Sequence, residues 1–304
     1  MQGRKAGNAM ELWIWVTIAA AAVQTVRFML QKRMRGLGLS TTGATFARFV
    51  FAAPLAGAGV GALWLAGLPA PPVPGAGFWG FAVGGGIAQI IATFCTVALF
   101  STRSFAVGIA FTKSEVVLVA LFSAVLLGEA ISWAGAGAIA LGTLGVVLLS
   151  TPEGGWRQMP LDRRALALGL MAGGFFALSA IGYRGATLAV EHPAPAMRAL
   201  VALTAATTFQ TLAMAAWMGW RDRAELVRVA RLWRAVLPVG VTGMLGSAGW
   251  FVAFSMQNAA YVRSVGQIEL MFSVLASVLV FASGCAGSSW RGWRFWAPRW
   301  WRWR

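Results

Sequence analysis

The chain has 304 residues, 59% of them hydrophobic and only 11% charged, and its 25 Lys and Arg outnumber 9 Asp and Glu for a net charge of +16. Such a composition is far more apolar than that of a soluble domain and makes a lipid bilayer the expected solvent. A charge of this size could suit nucleic acid, but the basic residues sit in short loops between apolar runs and in the C-terminal tail, so no nucleic-acid partner is expected.

A helix needs about 20 apolar residues to cross hydrocarbon, because its backbone polar groups must be satisfied within the segment. Such runs cover, in chain order, residues 12–31, 43–66, 77–99, 105–127 and 132–150, and then 165–189, 197–219, 236–257 and 263–281. Arg4 and Lys5 precede the first run, but it continues for a full span without a small-residue cleavage site, so it is expected to be kept rather than removed as a leader. The nine runs predict an all-α, multi-pass protein of the cell (inner) membrane. Cys95 and Cys285 offer no metal-ligand spacing and no disulfide framework. The stretch Gly84 to Gly86 follows no soluble strand and reads as close helix packing, not as a nucleotide loop. Trp13, Trp15, Trp64, Trp79 and Trp217 fall near span ends, where they read as interfacial anchors, and His192 in its short loop reads as a surface residue.

Lys32, Arg33, Arg35, Arg103, Arg157, Arg163, Arg164, Arg221, Arg223, Arg228, Arg231 and Arg234 all lie in the first, third, fifth and seventh loops, against Arg4, Lys5 and Arg263 on the other side. Short basic loops stay cytoplasmic, which places the N-terminus outside.

The chain also repeats itself. AVGIAFTKSEVVLVALFSAVLL, residues 106–127, lies on AYVRSVGQIELMFSVLASVLVF, residues 260–281, without a gap, bringing Glu115 onto Glu269, Leu121 onto Leu275 and Ser123 onto Ser277. ARFVFAAPLA around Arg48 likewise matches MRALVALTAA around Arg198, and Arg27 corresponds to Arg184. The basic loop follows the first helix in one half and the second helix in the other, the inversion that an odd number of helices per half produces. With the segment GEAISWAGAGAIALGTLGVVLL, residues 128–149, the chain resembles the EamA-like members of the drug/metabolite transporter superfamily. That resemblance implies two inverted five-helix repeats and secondary transport, with the N-terminus in the cytoplasm, opposite to the charge count. The expected architecture is an all-α integral membrane protein: a first five-helix repeat at 12–150, a second of four helices at 165–281, its tenth helix lost, and an aberrant Trp/Arg-rich tail at 282–304.

The tail alternates Trp with Arg from Trp290 to Arg304, as no span does. It reads either as a native interfacial segment or as a frameshift product. Trp has one codon, TGG, and a shifted frame turns it into codons for Leu, Val or Met. With GC-rich codons the stretch after Phe281 rereads as ERVRRLELAGLALLGAALVAL, a glutamate, a basic turn and an apolar helix.

Charged residues inside a span normally face a cavity or a partner. Arg27, Arg48, Lys113, Arg184, Arg198, Glu115 and Glu269 qualify. Glu115 and Glu269 fall near the middle of the fourth and ninth spans, where repeat transporters hold substrate and coupling ions. They read as proton carriers or as structural ion-pair partners of Arg48 and Arg198. Lys113 and Gln267 occupy aligned positions two residues earlier; Lys113 reads as an anion ligand or as a snorkelling lysine, and Arg27 and Arg184 as snorkelling side chains near helix ends. The expected substrate- and proton-binding set is therefore Glu115, Glu269, Arg48, Arg198, Lys113 and Gln267. No nucleophile, base and metal set gathers at one membrane depth, so neither enzyme, cofactor nor metal is expected. The expected function is secondary transport, as an exporter, of a small metabolite or amino-acid-like compound. The partners are that substrate, the lipid bilayer and, as an open possibility, a second copy in a homodimer. The alternative is a non-transporting structural or sensory membrane protein, or a truncated inactive transporter.

Overall fold

A computed structural model describes residues 2–71, 73–99, 111–149, 162–273 and 275, and every regular element among these is helical. In chain order they are α1 (Gln2–Gly36), α2 (Thr41–Phe49), α3 (Ala52–Leu65), α4 (Ala76–Leu99), α5 (Glu115–Leu127), α6 (Trp133–Leu149), α7 (Arg163–Leu188), α8 (Pro195–Arg221), α9 (Arg223–Arg231), α10 (Trp233–Met256) and α11 (Ala259–Gly266). Six segments among the described residues are long and apolar enough to cross a membrane: Glu11–Met34, Thr41–Leu65, Ala76–Leu99, Arg163–Leu188, Pro195–Arg221 and Trp233–Met256. Their outer faces expose Met29, Leu55, Ile87, Leu170, Leu212 and Leu245, as lipid-facing helices do. The architecture is that of a helical multi-pass membrane protein.

The run 43–66 is one span in hydropathy but two helices in the structure. Pro54 has no N–H for the carbonyl of Val50 and its ring crowds that carbonyl, so α2 ends at Phe49 and α3 starts at Ala52. At the break, the Phe49 carbonyl accepts from Thr211 Oγ1 at 3.0 Å. Residues 221–234, read from the sequence as a loop, contain α9. Asp222 caps it by accepting from Glu225 N at 3.0 Å, and Arg228 and Arg231 fill its last turn, as the helix dipole favours.

The most extensive helix pairings are α4 along α7 and α1 along α10. Small residues allow both. A Cβ built at Gly182 would lie 2.6 Å from Gly85 Cα and 2.8 Å from the Phe81 carbonyl, and one at Gly249 would lie 2.8 Å from Ala20 Cβ. With no hydrophobic force between helices in lipid, such backbone approach supplies the packing. Further pairings join α3 to α8 and α5 to α7.

The expected fourth and ninth spans depart from continuous helices. Among their described residues, Phe111 and Thr112 are helical, Lys113 and Ser114 turn, and α5 begins at Glu115; α11 ends at Gly266, Gln267 and Ile268 turn, and Glu269 opens another helical turn. Neither glutamate stands in the middle of an unbroken helix. The tail at 282–304, with Cys285, lies outside the described residues.

Candidate functional site

Between α1, α2, α4, α7, α10 and α11 lies a small cavity lined by polar and aromatic side chains. Its polar wall comes from Gln24, Arg48, Gln89, Ser179 and Arg263. Its apolar wall is aromatic, with Tyr183 and Phe251 at a ring-centroid separation of 4.3 Å and Trp250 and Phe254 at 6.2 Å. Ring walls with a few convergent polar groups are the usual make-up of a small-molecule site.

Glu115, at the first position of α5, forms an ion pair with Arg263 of α11. The Arg263 guanidinium carbon also stands 4.6 Å from the centre of the Trp250 ring, on the cavity wall. Glu269 accepts from Gln24 Nε2 at 2.8 Å, while Gln24 Oε1 accepts from Trp250 Nε1 at 3.0 Å. Arg263 and Arg27 both stand within electrostatic reach of Glu269. Arg263 is thus the direct partner of Glu115 and a more distant neighbour of Glu269.

Arg48 is held by neutral groups. It donates from Nη1 to Thr93 Oγ1 at 2.8 Å, and the Gln89 amide oxygen accepts from Nη1 at 2.6 Å and Nη2 at 3.0 Å, with the Gln89 nitrogen donating to Ser179 Oγ at 2.5 Å. The amide orientation is the one that satisfies this network. Arg27 donates to Gln31 Oε1, and its Nη2 is buried without a hydrogen-bond partner.

A second polar cluster lies toward the far end of α7. Arg184 donates to Glu129 Oε1 from Nε at 2.8 Å and from Nη2 at 2.7 Å, and also to the Phe254 carbonyl. Ser123 Oγ donates to Glu129 Oε2 at 2.7 Å. A third joins α9 to the turn before α2: Glu225, 2% exposed, accepts from Ser40 N at 2.6 Å and from Arg228 Nη1 at 2.8 Å.

Several expected placements are corrected. Arg27 is 2% exposed and Arg184 is ion-paired, so neither snorkels to a headgroup. Glu115 pairs with Arg263, not with Arg48 or Arg198. Arg198, half-buried in the first turn of α8, donates to the Ser255 carbonyl at 3.0 Å, apart from the cavity. Lys113 is half-buried in the turn before α5 and does not line the cavity. Gln267 is buried beside α6, where a Cβ at Gly142 would stand 3.1 Å from its Nε2, and its amide has no hydrogen-bond partner among the described residues. His192 is buried, not exposed: its Nδ1 accepts from Ala194 N at 3.1 Å, which leaves Nε2 to donate to the Pro69 carbonyl at 3.0 Å.

Of the expected set the structure therefore places Arg48 on the cavity wall and Glu115 and Glu269 one contact behind it, on Arg263 and Gln24, and leaves Arg198, Lys113 and Gln267 outside it. It adds Arg263, Gln24, Gln89, Tyr183 and Trp250. Arg263 stands at the edge of an apolar run, where a hydropathy profile reads a loop. Gln24 and Gln89 are uncharged and carry no signal there at all. Among the described residues no group of three His, Cys, Asp or Glu is placed to hold a metal ion.

The chain is similar in fold to a solved structure described only as "Crystal structure of protein", with 18% sequence identity, a TM-score of 0.57, and coverage of 93% of this chain and 91% of that one. That likeness shows the fold alone. No family model matches the sequence, and no curated protein matches it.

Proposed function

We propose that the protein is a secondary transporter of the cell (inner) membrane, an exporter, carrying a small metabolite or amino-acid-like compound through the cavity between Arg48 and Arg263. One observation carries this reading: Glu115 and Glu269 stand at matching helix breaks, and each bonds a residue that lines one polar cavity, Glu115 to Arg263 and Glu269 to Gln24. In repeat transporters, substrate and ion sites lie near the bilayer midplane where helices are discontinuous.

The helix pairings support two inverted repeats. If α1 corresponds to α7 and α4 to α10, then the pairing of α4 with α7 maps onto that of α10 with α1, and α3 against α8 maps onto itself. This exchange is what a two-fold relation between the halves would produce. The EamA-like resemblance of the sequence agrees with it. In this reading the two carboxylates alternate as proton carriers, with Arg263 neutralising whichever is ionised. Counterflow of radiolabelled organic acids and amino acids in proteoliposomes tests the proposal. Exchange above protein-free liposomes is expected, and its absence for every compound leaves the structural or sensory alternative.

A further inference from the structure

Resting on the transport reading, we infer that the cavity takes a small organic monoanion, a carboxylate carried on an apolar or aromatic body, with Arg48 as the residue that selects it.

The argument is one of charge. Arg48 and Arg263 line the cavity and Arg27 packs behind Arg48, while two carboxylates, Glu115 and Glu269, contact the wall residues Arg263 and Gln24. Arg27 and Arg48 pack against the same point of α10, since a Cβ at Gly243 would lie 3.3 Å from Arg48 Cγ and 3.5 Å from Arg27 Cδ. The balance is one positive charge in excess. Both carboxylates have partners already, Arg263 for one and Gln24 for the other. The cation that lines the cavity with no carboxylate bonded to it among the described residues is Arg48, 6% exposed and hydrogen-bonded to Thr93 and Gln89. In a membrane interior a buried charge normally has a counter-charge, and here an occupant can supply it.

The neutral partners of Arg48 matter for the same reason. Thr93 and Gln89 fix the guanidinium without cancelling its charge, as a site built to attract an anion requires. The remaining wall sets the rest of the ligand: Tyr183, Trp250, Phe251 and Phe254 offer ring faces to an apolar body. A zwitterion would add a cation to a cavity already carrying one in excess, and a cationic drug would add a second. Neither fits the balance.

The test uses the full chain in lipid nanodiscs and equilibrium dialysis of radiolabelled phenylacetate. Its competitors are 2-phenylacetamide, phenylalanine, phenethylamine and acetate. The acid and its amide share a shape and differ in charge. Phenylacetate is expected to bind about tenfold or more tightly than the amide, as one charge-assisted hydrogen bond implies, and acetate to bind weakly for want of a ring. Equal binding of acid and amide, preference for phenylalanine, or no binding of phenylacetate overturns the inference. These comparisons use the unaltered chain, so they hold even if a variant misfolds. Arg48→Gln, which keeps hydrogen-bonding capacity toward Thr93, is expected to bind acid and amide alike; retained preference for the acid removes Arg48 from the role. Proteoliposome counterflow then separates the two claims. Selective binding without flux sinks the transport reading and leaves the anion site, whereas flux of neutral or zwitterionic compounds with anions refused does the reverse.

Discussion

Glu115 and Glu269 are structural equivalents: each opens a helical stretch after a two-residue turn, and the hydrogen bonds of the two turns coincide. Ser114 N donates to the Phe111 carbonyl and Val116 N to that of Lys113, as Ile268 N does to Val265 and Leu270 N to Gln267. The next bonds, Leu118 to Ser114 and Phe272 to Ile268, match as well. Tight three-residue bonds of this kind in the middle of an apolar segment mark a strained or hinged point. The equivalence ends at the side chains: Glu115 faces a cation and Glu269 a neutral amide.

That difference sets their contributions to stability. Glu115→Ala leaves Arg263 buried without its direct partner and is expected to cost about 3–5 kcal/mol, the range for breaking a buried pair. Glu269→Ala breaks one hydrogen bond from Gln24 and is expected to cost about 1–3 kcal/mol. Adding Arg263→Ala to Glu115→Ala should return part of the loss, since no unpaired charge then remains. Urea or thermal unfolding of the three variants in detergent measures this, and a larger loss at Glu269 would contradict the assignment of the ion pair.

Transport should separate the coupling role from the binding role. Glu115→Gln with Glu269→Gln removes both titrating groups while keeping side chains of the same shape beside Arg263 and Gln24. Uptake driven by a pH gradient in proteoliposomes is expected to vanish, while exchange of substrate across a symmetric membrane persists. Gradient-driven uptake at the unaltered rate would end the proton-carrier role.

The contact between α4 and α7 has no room for a side chain. At Gly182 an added Cβ meets backbone, Gly85 Cα at 2.6 Å and the Phe81 carbonyl at 2.8 Å, so the helices themselves must separate. Gly182→Ala is expected to cost about 1–3 kcal/mol as an overpacked contact, and Gly182→Leu to prevent assembly. At Gly80, with nothing within 4 Å, alanine should be harmless. Size-exclusion profiles and melting temperatures of the three variants give the comparison.

Hydropathy alone locates the six long spans, because a twenty-residue apolar run has few other uses. Pattern also marks Glu115 and Glu269, since a matched acid in two apolar segments is conspicuous. What it does not reveal follows from how partners are chosen in lipid. Arg27 and Arg184 lie near the ends of their spans by count, yet one is enclosed by α2 and α10 and the other is drawn to Glu129, so distance along the chain misjudges their depth. Arg263 pairs across 148 residues, a contact no local rule contains. The break at Val50 was readable from Pro54, and α9 from the spacing of Asp222, Glu225 and Arg228; both are hidden when a segment is scored only by its mean apolarity.

The Glu225 cluster gives a test of orientation as well as of packing. It ties α9 to the turn before α2 through Ser40 N, and Arg228 adds a bond to the Gly38 carbonyl at 3.2 Å, so the basic residues around Lys32 and those from Arg221 to Arg234 share one end of the bundle. Short basic segments of this kind remain cytoplasmic, which fixes the expected side. Glu225→Ala leaves the Ser40 N–H without its acceptor and Arg228 without its carboxylate, at a cost of about 1–3 kcal/mol borne mostly by α9. Trypsin should then cut after Arg228 and Arg231 faster in the variant than in the unaltered chain, and only in inverted membrane vesicles. Equal rates in both proteins would deny Glu225 its anchoring role; cleavage in intact spheroplasts would place the basic end outside and the N-terminus in the cytoplasm.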